Sequence, residues 1–202
     1  KAVKAAAGVL CGDWPQRQDK NRLLIPHSIN GVVTTIEAIS PDGKKDFLAG
    51  GKKAGASFEI GDVSQSELLV FAEGYSTGAS VHEATTWPVI IGGGAGSLPV
   101  VAKHYHAKYP TKRLLIAADK DLGKDTNTGL NAAKKASQEV PGLLIVVPDF
   151  TADEIESWRK YHNDKHPTDF NDLRSLRGLS GVKAVFDSAL VAKDEPTAPP
   201  SK

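Results

Sequence analysis

Leu114-Leu115-Ile116-Ala117-Ala118 runs without a polar break into Asp119-Lys120-Asp121, and Gly123-Lys124-Asp125-Thr126-Asn127-Thr128-Gly129 follows. An apolar run with no alternation reads as a strand buried on both faces, the pattern of a parallel sheet. Ligands bind such sheets at the C-terminal edge, where this strand ends in carboxylates. Side chains two apart on a strand point the same way, roughly 6–7 Å apart along it. Asp119 and Asp121 can therefore grip one hard cation from the same side while Lys120 faces away. Mg²⁺ suits that arrangement, since it takes one or two carboxylates and keeps positions for water and phosphate. The same three residues also read as a solvated turn that caps the next helix.

The pattern repeats on both sides of this stretch. Residues 68–72, 89–91 and 143–147 are further apolar runs, and helical segments are expected over 76–86, 98–109 and 128–138. Strands alternating with helices of this length argue for βαβ units and right-handed crossovers on a parallel sheet. The first buried strand also ends in a carboxylate, Glu73, followed by Gly74. In a parallel sheet it opens on the same edge as Asp119 and Asp121. Gly74 supplies a tight turn and a close backbone approach that a bulkier residue would block.

Before this region the period is different. Residues 1–11 are Ala-rich and read as a helix that Asp13-Trp14-Pro15 ends. Short β-type runs over 23–60, divided by Asn30-Gly31 and Pro41-Asp42-Gly43, read as a small antiparallel meander. Its loops carry Lys44, Lys45, Lys52 and Lys53, either as a solvated basic face or as a phosphate-contacting patch. Arg22 can join that patch or lie on the surface. After residue 150 the chain reads as helical and polar over 153–162, 169–173 and 181–192, and residues 193–202 as a Pro-rich, charged, disordered linker. The expected units are 1–62, 63–150, 151–192 and 193–202.

At 202 residues, 40% hydrophobic, the chain is long enough for one large domain or two small ones. One cysteine, Cys11, excludes an internal disulfide and a Cys-rich zinc site. No apolar run has membrane-span length and no signal peptide is evident, so a reducing, cytoplasmic setting is expected. A net charge of +1 gives no global basic field, so any nucleic-acid binding must rest on local patches. The chain contains no Met and starts at Lys1, as an excised fragment would.

Phe71-Ala72-Glu73-Gly74-Tyr75-Ser76-Thr77, followed by Ala117-Ala118-Asp119-Lys120-Asp121, resembles the Toprim domain, and most of all that of plasmid and phage primases. Residues 42–55 look like their β-rich lead-in, Asn127-Thr128-Gly129-Leu130-Asn131 follows the acidic pair as it does there, and Pro167-Thr168-Asp169-Phe170-Asn171-Asp172-Leu173 is similar to their late acidic motif. Lys120 departs from the pattern, standing where a neutral or acidic residue is common. The resemblance implies an α/β fold: a Toprim-like parallel sheet flanked by helices, with an N-terminal antiparallel β-rich subdomain and a short helical C-terminal part. It implies a nucleotidyltransferase, a DNA primase of the DNA-dependent RNA polymerase type, that makes short primers on single-stranded DNA from nucleoside triphosphates with Mg²⁺ or Mn²⁺. Glu73, Asp119 and Asp121 would be catalytic and metal-binding, and Asp169 and Asp172 would complete the metal site. Arg22, Lys44, Lys45, Lys52, Lys53, Gly74 and Tyr75 would meet nucleotide or DNA. A replicative helicase, in the same or another chain, is the expected partner. The rival readings are a Toprim nuclease and a binding module that has lost activity.

Other features are weaker. Gly92-Gly93-Gly94-Ala95-Gly96-Ser97 is neither a Walker A loop nor G-x-G-x-x-G, and reads as a strand-to-helix turn. His162 and His166 are spaced i, i+4 but lack a third zinc ligand, and Trp87 and Trp158 read as core or cover residues.

Overall fold

A computed structural model describes residues 10–14, 19–120 and 127–194. The described residues form two sheets. The smaller is antiparallel, ordered β1 (Leu10–Trp14), β2 (Asp19–Ile29), β3 (Val32–Ile39) and β4 (Lys45–Phe47). Asn30 and Gly31, both at positive φ (50° and 80°), close the two-residue β2–β3 hairpin, as the Asn-Gly signal requires. The Ala-rich helix expected through residue 11 is not found at its far end. Leu10 and Cys11 pair with Leu24 and Leu23 in the small sheet, because strand pairing overrides the local helix propensity. Residues 1–9 lie outside the described residues.

The larger sheet has five strands in the order β5 (Phe58–Ile60), β7 (Val89–Ile91), β6 (Leu68–Ala72), β8 (Arg113–Ala117) and β9 (Leu144–Val146). Strands β7, β6, β8 and β9 are parallel, and β5 is an antiparallel edge strand on β7. Phe58–Ile60, expected in the meander, thus belongs to the larger sheet. A pair of backbone hydrogen bonds between Ser28 and Ser57 (2.8 and 3.0 Å) stitches the two sheets together.

The apolar runs behave as two-faced strands. On one face Val70, Ala72, Val89, Ile91, Leu115 and Ala117 pack with Ala79 and Val81 of helix α1 (Tyr75–Thr85) and with Phe170, Leu173, Val182 and Phe186 of helix α5 (Phe170–Asp194). On the other, Leu69, Phe71, Ile90, Leu114 and Ile116 pack with helix α2 (Leu98–Lys108) and helix α3 (Thr128–Glu139). A central strand buried on both faces is what the absence of alternation demands. Trp87 meets Phe186 edge-on at 6.0 Å and belongs to this core.

The C-terminal part comprises helix α4 (Ala152–Tyr161) and α5. Thr151 and Glu154 form a capping box at the start of α4, and Arg177 of α5 holds Glu154 through two 2.6 Å contacts. The two helical stretches expected at 169–173 and 181–192 are one element broken at Gly178 (φ 70°, ψ −173°). The linker expected at 193–202 falls, beyond Asp194, outside the described residues. Among the described residues no helix is long and apolar enough to cross a membrane.

Candidate active site

The last rung shared by β6 and β8 is Ala72 opposite Ala117. Glu73 lies one residue beyond it and Asp119 two, on neighbouring strands about 5 Å apart. The two acids from sequence-distant motifs therefore follow the ends of neighbouring strands on the same C-terminal edge of the sheet. Ala118 extends the edge by donating its N–H to the Val146 carbonyl at 2.9 Å. Asp121 lies outside the described residues.

Helix α3 begins against this strand end. Asn127 caps it, its side chain accepting from the Leu130 N–H at 3.1 Å. A Cβ on Gly129 would stand 3.0 Å from the Asp119 Cβ and 3.2 Å from the Asp119 carbonyl oxygen. The helix approaches the strand end so closely that any side chain at position 129 would make the Asp119 backbone or the helix give by a few tenths of an ångström.

The late acidic motif docks on the same edge. The Lys120 N–H donates to the Thr168 carbonyl at 2.7 Å, and the Thr77 hydroxyl of α1 donates to Asp169 at 3.3 Å. Asp169 caps α5 by accepting the Asp172 N–H at 2.8 Å, while the Asp172 carboxylate accepts the Thr168 N–H at 2.7 Å. These bonds hold Asp169 and Asp172 together. Burial, and then the neighbouring charge of Asp169, push the Asp172 carboxyl up to about 6. The Lys120 ammonium turns toward Asp149 at 3.4 Å, which directs its charge to the β9–α4 connection.

The small sheet supplies cations from the other side. The Lys45 Nζ lies 2.8 Å from where a Cβ on Gly74 would stand, over the turn that follows Glu73. The Lys53 Nζ lies 4.0 Å from the centre of the Phe47 ring and 3.3 Å from the Cβ position of Gly94. The Gly94 N–H in turn donates to the Glu73 carbonyl at 3.1 Å. The glycine run is thus a strand-to-helix turn, pinned to the Glu73 backbone.

The other expected contacts are placed differently. Lys44 pairs with Asp42 at 2.9 Å on the outer turn, and Lys52 is exposed, its N–H bonded to the Thr34 carbonyl. Arg22 is buried (1% exposed) and bonds Asp46 at 2.9 Å inside the small sheet. Tyr75 is equally buried, 6.3 Å from the Phe58 ring, in the core beneath the edge. Gly74 begins α1 as its N-cap. Phe47 and His27, which lie against the glycine loop, carried no motif. Their only signal in the sequence is the alternation of β2 and β4, which turns them inward.

Toprim primases use a divalent metal, and the donor types fit a hard cation: the edge offers carboxylate oxygens and no thiolate. The repulsion between Asp169 and Asp172 is what a bound cation relieves. Among the described residues, no group of three His, Cys, Asp or Glu side chains is close enough to hold a metal. His162, whose ring stacks on Trp158 at 3.7 Å, belongs to no such group.

Comparison with known proteins agrees with this architecture. Over 152 residues the chain is 32% identical to a DNA primase TraC of Escherichia coli, an alignment that takes in 72% of this chain and 10% of that relative. The chain thus spans about a tenth of the length of the protein it matches. The fold is similar to the primase fragment of the bacteriophage T7 primase-helicase protein (TM-score 0.59, 15% identity, 91% of this chain and 67% of that one). It is also similar to a DnaG primase catalytic domain bound to single-stranded DNA (TM-score 0.53, 13% identity, 88% and 56%). A Toprim domain model matches residues 68–180, which hold Glu73, Asp119, Asp169 and Asp172. The chain belongs to the Toprim domain family, as its strand-end acids suggest.

Proposed function

We propose that this chain is the catalytic core of a DNA primase that joins nucleotides into short primers on single-stranded DNA in plasmid, phage or mobile-element replication. The observation that carries the reading is the docking of the late acidic motif on the Asp119 edge through Lys120–Thr168 and Thr77–Asp169. It brings the Asp169 stretch to the edge that carries Asp119, while Lys45 of β4 and Lys53 of the β4–β5 connection lie over the turns next to Glu73. The similarity to primase TraC and to primase catalytic domains supports the choice of reaction.

In this reading Asp119 and Asp121, helped by Asp169 and Asp172, hold Mg²⁺ or Mn²⁺ close to Glu73. The bound ion supplies charge to stabilise the attacking and leaving oxygens of phosphoryl transfer. Lys45 and Lys53 meet the anionic oxygens of the nucleoside triphosphate or template from the opposite side. Glu73 takes the proton of the attacking 3′ hydroxyl or orients that group. A helicase partner and a cytoplasmic site of action belong to the same reading.

The test is a gel assay on single-stranded DNA with Mg²⁺ or Mn²⁺, with and without labelled nucleotides. Wild type is expected to give short labelled products only when nucleotides are present. Glu73→Gln and Asp119→Asn are each expected to lower the yield by about 100-fold or more. Cutting of the DNA without nucleotides, lost in the same variants, would replace the primase with a Toprim nuclease.

A further inference from the structure

A polar seam lies between the small sheet and the glycine loop, outside the acids and lysines described above. His27 of β2 and Glu37 of β3 are both buried, 1% and 2% exposed, and meet at 3.3 Å between Nε2 and Oε2. Burying such a pair carries a desolvation penalty that its attraction only partly offsets, so stability is a weak reason for its presence. What the pair touches suggests another. The His27 ring lies 5.6 Å from the Phe47 ring, and His27 Cε1 and Phe47 Cζ each stand 3.0 Å from the Cβ position of Gly93. The two rings form a floor on which the glycine loop rests. The Lys53 ammonium sits over Phe47, and the next glycine, Gly94, donates to the Glu73 carbonyl. Contacts thus run without a gap from Glu37 through His27 and Phe47 to Lys53, and through Gly93 and Gly94 to Glu73.

We infer that His27 and Glu37 are positioning residues that hold the Phe47 ring, and with it the Lys53 ammonium, beside the Gly93–Gly94 turn that is bonded to the Glu73 carbonyl, for the phosphate oxygens of a nucleotide. The assignment of the ligand rests on the primase reading. A lysine on a free four-carbon stem loses much rotamer freedom when it binds an anion. An ammonium seated on an aromatic face has lost part of it beforehand. The seat works only if the ring is itself fixed, and the buried pair behind it does that. Because Lys53 meets phosphate in the ground state and the transition state alike, loosening it raises KM and leaves kcat nearly unchanged.

The experiment has two readouts on wild type, Glu37→Ala, Glu37→Gln, Phe47→Leu, Lys53→Met and the double variant Glu37→Ala/Lys53→Met, with circular dichroism melts to verify folding. In the first, amine acetylation is followed by mass spectrometry as the rate at Lys53 over that at its exposed neighbour Lys52. Seating on the ring is expected to lower this ratio by roughly two- to five-fold in wild type, with the ratio near one in Glu37→Ala and Phe47→Leu. In the second, primer synthesis is titrated with nucleotide. Glu37→Ala and Lys53→Met are expected to raise KM several-fold with kcat within two-fold of wild type, and the double variant is expected to be no worse than Lys53→Met alone. Glu37→Gln, which keeps a hydrogen bond to His27, is expected to recover most of both effects. An unchanged labelling ratio in Glu37→Ala and Phe47→Leu, multiplying KM effects, or a loss confined to kcat would overturn the inference. If wild type makes no nucleotide-dependent product, the primase reading fails, and the labelling ratio alone decides whether the seat exists.

Discussion

Asp172 illustrates how one side chain reports its surroundings. Its carboxyl is raised from the ordinary 3.8 to about 6, first by burial and then by Asp169. The folded protein thus favours the protonated form more than the unfolded chain does. The stability this group contributes is fully present below about pH 4 and is lost as pH rises through 6. In metal-free buffer containing EDTA, Asp172→Asn is expected to melt at a higher temperature than wild type at pH 7 and at the same temperature near pH 3.5. Asparagine still accepts the Thr168 N–H that Asp172 holds at 2.7 Å. A melting series across that range checks it, and a constant offset at all pH values would assign the residue another role. Single residues carry the least local signal of their surroundings. Lys44 and Lys45 are neighbours, yet one faces Asp42 and the other Gly74, because Lys44 closes the turn bonded to Ser40 while Lys45 begins β4. Arg22 is turned inward by Asp46, 24 positions away, which no local pattern announces.

Among the elements, α3 is the one whose placement depends on a single residue. Its first turn lies against Asp119 through Gly129, where an added methyl group would meet the Asp119 Cβ at 3.0 Å and the Asp119 main-chain O and N at 3.2 and 3.4 Å. Gly129→Ala has to move either the helix or the strand end. We expect it to lower stability by about 1–3 kcal/mol, measured by denaturant unfolding, and to reduce activity more than that loss explains. Full activity in this variant would mean that the Asp119 edge tolerates displacement. The start of α5 is equally particular, since Asp169 caps the helix and faces Thr77 of α1 at the same time. Helices α1 to α4 were legible to within a residue or two, because their caps and breakers are local. The break in α5 at Gly178 was anticipated only as a gap between two helices.

For the whole molecule the charge balance is the informative quantity. A net charge of +1 cannot hold a polyanion by a general field, so the single-stranded DNA binding proposed for this chain would depend on a few placed cations. Each lysine that meets a phosphate should contribute roughly 0.7 to the slope of log affinity against log salt. Lys45→Ala and Lys53→Ala are each expected to reduce the slope for an oligothymidylate by about that amount if they touch its phosphates. Lys44→Ala, whose ammonium pairs with Asp42, should leave it unchanged. Fluorescence titrations at four salt concentrations measure it. Equal effects of all three would return the lysines to a diffuse basic face.

The order of strands and helices from 68 to 147, the Asn30-Gly31 hairpin and the strand-end positions of Glu73 and Asp119 are written in the local sequence. These depend on hydrophobic period and on turn residues, which act over a few positions. Tertiary structure decided the rest. It moved Phe58–Ile60 to the edge of the larger sheet, stitched the sheets at Ser28 and Ser57, docked Thr168 on Lys120, and buried His27 against Glu37. Each of these joins groups separated by 10 to 48 positions, and each is settled by which distant donor finds which acceptor once the core has closed. A buried polar group needs a partner, but it does not name that partner in its own neighbourhood of the chain.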